Sequence, residues 1–282
     1  MSKFEIKKGI ASELNTKGGK PWLDINFLGI GGAFDVEEGM ASVLFKTKNG
    51  KYFLIDCGYT AYSKLKKQNL ISKVDKVFIT HTHEDHINGL STFIFDRYFL
   101  HKEITNIECT EEVSKRVCEY LDICGQPKEM YQIHTEKHVF IEDESISITK
   151  IDTSEHHWSV NNFPNSGLLF HFDAVDDYFV VVFSGDINKP IMSLMNPADY
   201  PFVYDKPDNV FIFHDMTSLV HEQNPHTNFE LLVPVKNIFK NLFTYHHSEN
   251  QIYSINKINP EIALTSLIIQ GENFVIEEMK GL

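Results

Sequence analysis

The segment from Thr80 to Gly89 carries side chains that can hold metal ions. Its order His-x-His-x-Asp-His, followed by Asn-Gly, consists of His81, His83, Asp85 and His86. Neutral imidazole and carboxylate groups are ligands that zinc prefers. The segment follows the apolar run Val77–Ile79, so we expect it at the end of a strand. The spacing therefore predicts parts of two metal sites.

Two of these histidines lie two positions apart, at His81 and His83. On an extended segment both can point to the same side and bind one ion, while Asp85 and His86 can turn toward a second ion. A hydrolytic site with two metals needs about six or seven groups. The remaining ligands must come from elsewhere in the chain.

Three later segments qualify, each at the end of a predicted element: Glu155-His156-His157, Ser184-Gly185-Asp186 and Tyr245-His246-His247-Ser248. Asp186 follows the apolar run Val180–Phe183 and a Ser-Gly pair, a position from which a carboxylate can bridge two ions.

The paired histidines leave a choice open. His156 and His157 compete for one role, because adjacent residues on an extended strand face opposite ways. We prefer His156, and we prefer His246 over His247. The neighbours remain alternatives that orient a ligand or face the substrate.

The apolar pattern along the chain predicts the elements that position these residues. Alternation predicts strands over 23–32, 42–47, 52–56, 76–80, 139–141, 145–151, 168–172, 178–183 and 210–214. Helical spacing predicts helices over 62–68, 87–95, 110–125 and 234–243. This order predicts an α/β fold, with two sheets packed together and helices outside. We expect a single domain over 1–282, with 1–21 as an N-terminal extension or short edge hairpin.

Composition limits the setting and the partners. The chain has 39 acidic and 26 basic side chains, a net charge of −13, which argues against a general nucleic-acid-binding surface. The sequence contains no run of about 18 apolar residues, which argues against a membrane span. Met1–Lys8 lacks the apolar core of a signal peptide. The four cysteines have no C-x-x-C spacing, so we expect reduced thiols in a cytoplasmic protein, or in the host cytoplasm if the chain is viral.

Six further stretches accompany the metal motif in a fixed order: Phe27–Gly31, Ile55–Gly58, Phe183–Asp186, Ile212–Thr217, His226–Thr227 and His246–Ser248. Together with the motif they resemble the metallo-β-lactamase superfamily, ribonuclease Z-like branch, and within it the anti-Pycsar cyclic-nucleotide phosphodiesterases. The resemblance implies an αβ/βα sandwich of two mixed β-sheets flanked by helices.

The resemblance also implies roles for individual residues. One Zn²⁺ would bind His81, His83 and His156, and a second would bind Asp85, His86 and His246, with Asp186 bridging them and Mn²⁺ as an alternative metal. The branch pairs a glutamate with a histidine that donates a proton; here Asp215 and His226 stand at those positions, and Asp is one methylene shorter than Glu. The candidate catalytic residues are thus Asp85, Asp215 and His226.

Three substrate classes remain. The first is a 3′,5′-cyclic mononucleotide such as cCMP, cUMP, cAMP or cGMP. The second is precursor tRNA, cut at its 3′ side. The third is a lactone or thioester; in this third class we also place a zinc fold that binds a partner without catalysis. A tRNA-processing enzyme of this branch carries a basic arm between the third histidine and the bridging aspartate. From His156 to Asp186 is 186 − 156 = 30 positions, without Lys or Arg between them. We therefore predict a small nucleotide substrate, no large nucleic acid and no membrane partner.

Two expectations accompany this prediction. Trp158 and Phe163 follow His156 and are aromatic side chains that can stack on a base. The resemblance implies a homodimer, and a role in evading cyclic-nucleotide antiviral signalling.

Overall fold

The computed structural model describes residues 3–10, 21–35, 37–157, 163–217, 226–247, 267–268 and 272–279. The chain divides into two compact units. The N-terminal unit comprises Lys7–Lys137 and Gln270–Glu277, and the C-terminal unit comprises Met1–Ile6, His138–Ile269 and Glu278–Leu282. Each unit draws on distant parts of the sequence, and a single domain over 1–282 stays a prediction.

The described residues form two β-sheets. The strands are β1 Lys3–Ile10, β2 Leu23–Gly29, β3 Ser42–Thr47, β4 Tyr52–Ile55, β5 Val74–Phe78, β6 Thr105–Glu108, β7 Tyr131–His134, β8 His138–Ile141, β9 Ile146–Asp152, β10 Ser166–Asp173, β11 Tyr178–Phe183, β12 Val210–Asp215, β13 Asn241–Tyr245 and β14 Glu272–Met279. One sheet has the order β1-β14-β2-β3-β4-β5-β6-β7, and the other has the order β13-β12-β11-β10-β9-β8. The predicted N-terminal extension thus contributes an edge strand, while residues 11–20 lie outside the described part.

Both sheets are mixed, as predicted. Strands β2, β3 and β4 are antiparallel, whereas β4 to β7 run parallel. In the other sheet β8 to β11 are antiparallel, and β11, β12 and β13 run parallel. The carboxyl ends of parallel strands meet at one edge of a sheet, and β11, β12 and β13 lead there to Asp186, Asp215 and His246.

Six α-helices lie in the described ranges: α1 Tyr59–Lys67, α2 Glu84–Ile87, α3 Leu90–Asp96, α4 Glu111–Ile123, α5 Pro201–Asp205 and α6 Phe229–Ile238. Helix α4 follows its sequence signals. The Thr110 side chain accepts a hydrogen bond from the Val113 N–H, and Gly125 takes a φ of 69° just beyond the helix end. No helix of this part of the chain is both long and apolar enough to cross a membrane.

The predicted helix over 234–243 is wrong. Helix α6 begins five residues earlier, because the Asn228 side chain accepts a hydrogen bond from the Glu230 N–H and caps it. Pro234 lies inside this helix, and the following apolar run forms β13, which pairs in parallel with β12. Parallel pairing with a buried strand decided the conformation of this run.

Apolar side chains fix the sheets that carry the candidate site. In the N-terminal unit the buried cluster joins helices and strands through Leu65, Phe93, Val117, Leu54, Val77 and Ile107. In the C-terminal unit the corresponding cluster includes Val182, Ile212, Leu242, Leu232 and Met195. Each fully buried side chain of this size contributes about 1.5 to 3 kcal/mol. The strand ends that carry the candidate ligands therefore extend from rigid cores.

Candidate metal centre

The N-terminal unit brings the four motif residues together. We call His81, His83, Asp85 and His86 the motif cluster. The ring centroid of His81 lies 4.8 Å from that of His83 and 4.1 Å from that of His86. The His86 Nε2 lies 3.3 Å from the Asp85 Oδ2. All except the half-buried His83 are buried, so the cluster is shielded from bulk water.

Asp56 holds two of these histidines in place. Its Oδ2 lies 2.8 Å from the His86 Nδ1 and accepts a 2.7 Å hydrogen bond from the Thr80 hydroxyl. Because that hydroxyl has one hydrogen, the Thr80 Oγ1 accepts from the His81 Nδ1, 3.0 Å away. Both rings then carry their proton on Nδ1, which leaves the Nε2 lone pair for a metal.

Asp56 is a site residue that sequence reasoning missed. It follows the apolar strand β4 directly, the same signal that singled out Asp186. Its φ of 57° is rare for a residue other than glycine, and such strain costs on the order of 1 kcal/mol or more. The Ser42 hydroxyl donates a 2.7 Å hydrogen bond to the Asp56 carbonyl. The strained position is thus held by a buried contact.

Gly58 allows the chain to approach the motif cluster closely. A Cβ at this position would lie 2.2 Å from the Asp85 carbonyl oxygen and 2.9 Å from the Met40 Cβ. Next to it, the Cys57 N–H donates a 2.8 Å hydrogen bond to the His86 carbonyl. Burial and the Asp56 carboxylate raise the pKa of the Cys57 thiol.

The C-terminal unit gathers a second set of ligand types at the edge formed by β11, β12 and β13. We call Asp186, Asp215, His226 and His246 the aspartate–histidine cluster. One ligand atom from each of the first three lies within 4.8 Å of the others. The His246 Nε2 lies 3.4 Å from the Asp186 Oδ2, and the rings of His226 and His246 are 4.3 Å apart.

Asp215 and His226 form the contact that the resemblance implied, although aspartate replaces glutamate. The Asp215 Oδ2 lies 2.9 Å from the His226 Nδ1 and accepts a 3.1 Å hydrogen bond from the Ile187 N–H. Asp215 is fully buried, whereas the His226 side chain is 20% exposed. The arrangement fixes Nδ1 on the carboxylate and turns Nε2 away from it.

Asp186 owes its position to residues that sequence reasoning did not select. Gly185 has a φ of 63°, and a Cβ there would lie 2.7 Å from the Ser166 carbonyl oxygen. The Asn165 Nδ2 donates a 2.5 Å hydrogen bond to the Asp186 carbonyl. The Ser184 hydroxyl accepts a 2.9 Å hydrogen bond from the Asp215 N–H and so ties the two aspartates together.

The structure favours His157 over His156 as a ligand. His156 is only half-buried, and partial desolvation together with the charge of Lys189 lowers the pKa of its imidazole. His157 is 5% exposed and its ring stacks on Phe163 at 5.2 Å. Its burial therefore makes His157, in place of the preferred His156, the candidate ligand.

His246 remains the preferred ligand over His247. His247 is buried with its Nε2 3.1 Å from the Thr244 carbonyl oxygen, whereas His246 approaches Asp186. His246 reaches this position with a φ of 65°, a second strained backbone in the candidate site. Phe163 packs on His157, and Trp158 lies outside the described residues.

The donor set fits a zinc or manganese ion. Each unit offers imidazole nitrogens and carboxylate oxygens side by side, and in the motif cluster the tautomers are set by Asp56 and Thr80. These are the groups that borderline divalent metals bind.

A family model described as "Anti-Pycsar protein Apyc1" matches residues 23–272. The chain belongs to this family. The match runs through both clusters, from β2 to the first residue of β14.

Curated relatives include zinc phosphodiesterase ELAC protein 1 from Bos taurus, 39% identical over 69 residues that cover 24% of this chain and 19% of the relative. Ribonuclease Z from Phocaeicola vulgatus is 26% identical over 193 residues, 63% of this chain and 59% of the relative. The chain thus spans less than two thirds of these relatives.

A solved structure gives the fold. The metallo-β-lactamase fold protein YhfI from Bacillus subtilis aligns with a TM-score of 0.66 at 15% identity, over 91% of this chain and 99% of that chain. The chain has the metallo-β-lactamase fold, as the sequence predicted.

Proposed function

We propose that the protein is a metal-dependent phosphodiesterase that opens the 3′,5′-phosphodiester of cyclic mononucleotides. The observation that carries the proposal is membership of the anti-Pycsar family over residues 23–272, a span that contains every candidate ligand. The relatives named zinc phosphodiesterase and ribonuclease Z support the same bond class, a phosphodiester.

The proposed ligands follow the order of the family motif along the chain. His81, His83 and His157 are assigned to one ion and Asp85, His86 and His246 to the other, with Asp186 shared. Two Zn²⁺ are proposed, with Mn²⁺ as the alternative. Such ions lower the pKa of bound water and neutralise phosphate charge.

The remaining work falls to side chains of this protein. Asp56 and Thr80 keep His81 and His86 in the tautomer that leaves Nε2 free of a proton. Asp215 holds the His226 Nδ1, so that Nε2 can deliver a proton to the departing sugar oxygen. Proton transfer from a positioned side chain contributes about 10²- to 10⁴-fold in rate. Asp85 acts through its carboxylate as a ligand.

A tRNA 3′-processing endonuclease is the second candidate, favoured by the ribonuclease Z relatives. Two features speak against it. The net charge is −13, and the interval from 163 to 185 is filled by β10, β11 and the turn at 174–177, without a Lys or Arg. A polyanionic substrate needs a basic footprint, whereas a cyclic mononucleotide carries one phosphate charge.

A substrate screen tests the proposal. The metal-loaded protein is incubated with cyclic mononucleotides, precursor tRNA and a lactone at fixed zinc or manganese, and products are separated by chromatography. We expect linear mononucleotides, and no product with His86→Ala. Intact cyclic nucleotides alongside cleaved tRNA or lactone would replace the proposal with the matching alternative.

His226→Ala separates proton donation from metal binding. We expect turnover of a cyclic nucleotide to fall by about 10²- to 10⁴-fold, because the departing oxygen loses its proton source. Metal content, measured by plasma mass spectrometry, should stay at the wild-type level. His171→Ala, a half-buried histidine of the same unit that packs on Tyr178, is the matched control. Near-normal turnover in His226→Ala would remove this residue from the mechanism.

The proposed setting is the cytoplasm, where the four cysteines, which form no disulfide in the described part of the chain, would stay reduced. We propose that the protein is a homodimer, and that hydrolysis of cyclic nucleotides serves evasion of antiviral signalling. Mass measurement in solution tests the dimer.

A further inference from the structure

The loop between β2 and β3 presents an aromatic ring to solvent. We call residues 30–41 the β2–β3 loop; of these, residue 36 lies outside the described part. The Phe34 side chain is 99% exposed. The Gly31 N–H donates to the Gly39 carbonyl at 2.8 Å, and the Ala41 N–H donates to the Gly31 carbonyl at 2.9 Å. These bonds close the base of the loop and leave Phe34 at its tip.

Local hydrogen bonds shape the tip. The Asp35 N–H donates to the Gly32 carbonyl, and the Asp35 Oδ1 accepts a 3.1 Å hydrogen bond from the Glu38 N–H. A side chain turned outward by an ordered turn loses less conformational freedom on contact than one on an unstructured segment.

The base of the loop lies beside the motif cluster. The Met40 N–H donates a 2.9 Å hydrogen bond to the Thr60 Oγ1. The Met40 Cβ and the Asp85 carbonyl oxygen both lie within 3 Å of the Cβ position of Gly58. The loop and the motif segment thus meet across one glycine of the N-terminal unit.

The charge of this region selects what the loop can contact. Residues 30–41 contain Asp35, Glu37 and Glu38 and no Lys or Arg, and Glu84 of the motif segment is exposed. These carboxylates, none of which is a proposed metal ligand, repel a phosphate from the loop itself. A flat, uncharged ring is not repelled and can stack on Phe34.

We propose that Phe34 stacks on the nucleobase of the substrate while the phosphate lies at the motif cluster. This inference rests on the proposed function and adds a residue that determines specificity. Binding energy from the base would favour nucleotides over phosphodiesters of similar reactivity that lack a base.

Paired substrates test the role of Phe34. With Phe34→Ala, we expect the KM for a cyclic mononucleotide to rise about tenfold, with kcat nearly unchanged, because one stacked base is lost. The KM for 1-deoxyribose 3′,5′-cyclic phosphate, which has the same reacting group and no base, should not change. Phe34→Trp should restore the wild-type KM. Phe140→Ala, the same substitution at a 64% exposed position on the edge strand β8, is the control.

A binding measurement complements the kinetics. Addition of the linear 5′-mononucleotide should quench the extra tryptophan fluorescence of Phe34→Trp relative to wild type. Equal KM changes on both substrates, or a changed solution mass with unchanged KM, would overturn the stacking role and leave the proposed function standing. A wild-type protein that leaves cyclic nucleotides intact would overturn both.

Discussion

At the scale of single residues, the candidate site depends on groups that bind no metal. A histidine ligates through one nitrogen, so the partner of the other nitrogen decides whether a lone pair is available. Asp56 sets which ring nitrogen carries the proton, for His86 by direct contact and for His81 through Thr80. A carboxylate at this position also attracts positive charge toward the cluster.

Replacing Asp56 by Asn tests this dependence. We expect metal affinity to fall by about 10- to 100-fold, because an amide nitrogen cannot accept the hydrogen bonds by which the carboxylate orients His86 directly and His81 through Thr80. Competition with a chromophoric chelator measures the affinity. Asp75→Asn is the control, since the Asp75 carboxylate accepts a hydrogen bond from the Tyr52 N–H away from the motif cluster. Equal affinities in the two variants would show that Asp56 does not tune the ligands.

Sequence reasoning reached the ligands that lie close together in the chain and failed where distant segments meet. His81 to His86 lie within one short segment, so their spacing alone predicts a cluster. Asp56 and Thr80 are 24 positions apart, and no local pattern joins them. The preference for His156 assumes an extended strand, yet β9 ends at Asp152 and a 3₁₀ turn covers Ser154–His156. That turn changes which histidine is buried.

At the scale of elements, three parallel strands place the aspartate–histidine cluster. The alternating or continuous apolar runs predicted β11 and β12 correctly, and a carboxylate follows each of them. For the third strand, β13, the sequence predicts a helix, because its apolar residues also fit helical spacing. Only its pairing with β12 distinguishes the two possibilities.

The start of β11 is anchored by charge. Burial by itself raises the pKa of Asp177, but hydrogen bonds from the Lys206 ammonium and the Tyr178 N–H, with the charge of Lys206, outweigh it and lower the pKa overall. The hydrogen bond to Asp177 raises the pKa of Lys206. A lowered carboxyl pKa stabilises the fold above the unfolded value of about 3.9, and this contribution disappears as the pH falls through the folded value.

Asp177→Asn should therefore lower the denaturant midpoint near pH 7, and the difference from wild type should shrink below about pH 4. Urea unfolding at a series of pH values measures it. Asp208→Asn, which removes a pair with Lys240 whose side chains are 62% and 76% exposed, should leave the midpoint nearly unchanged. A constant difference across the acid range would mean that the pair does not titrate as described.

At the scale of the whole molecule, net charge limits the partners. The relatives include one named zinc phosphodiesterase and one named ribonuclease Z, and a shared fold does not by itself choose the substrate. An excess of 13 negative charges opposes the counterion release that drives RNA binding. The two sheets and their mixed pairing followed from the sequence, whereas the division into two compact units did not, because distant segments combine in each.

Precursor tRNA should accordingly bind weakly. We expect no saturable binding at micromolar protein in fluorescence anisotropy near physiological salt, and no inhibition of cyclic-nucleotide hydrolysis by added tRNA. Lowering the salt should change little, because few phosphate contacts form. Tight binding that weakens steeply with salt would point instead to a basic surface, and would revive the endonuclease.

The buried thiol of Cys57 can report local opening of the N-terminal unit. Its N–H is bonded to the His86 carbonyl, so an alkylating reagent can reach the sulfur only when the chain around the motif cluster opens. Cys124 is exposed and should react in the native state. The ratio of the two labelling rates would then report how often this region opens. A metal bound nearby should slow the labelling of Cys57 and leave the labelling rate of Cys124 unchanged.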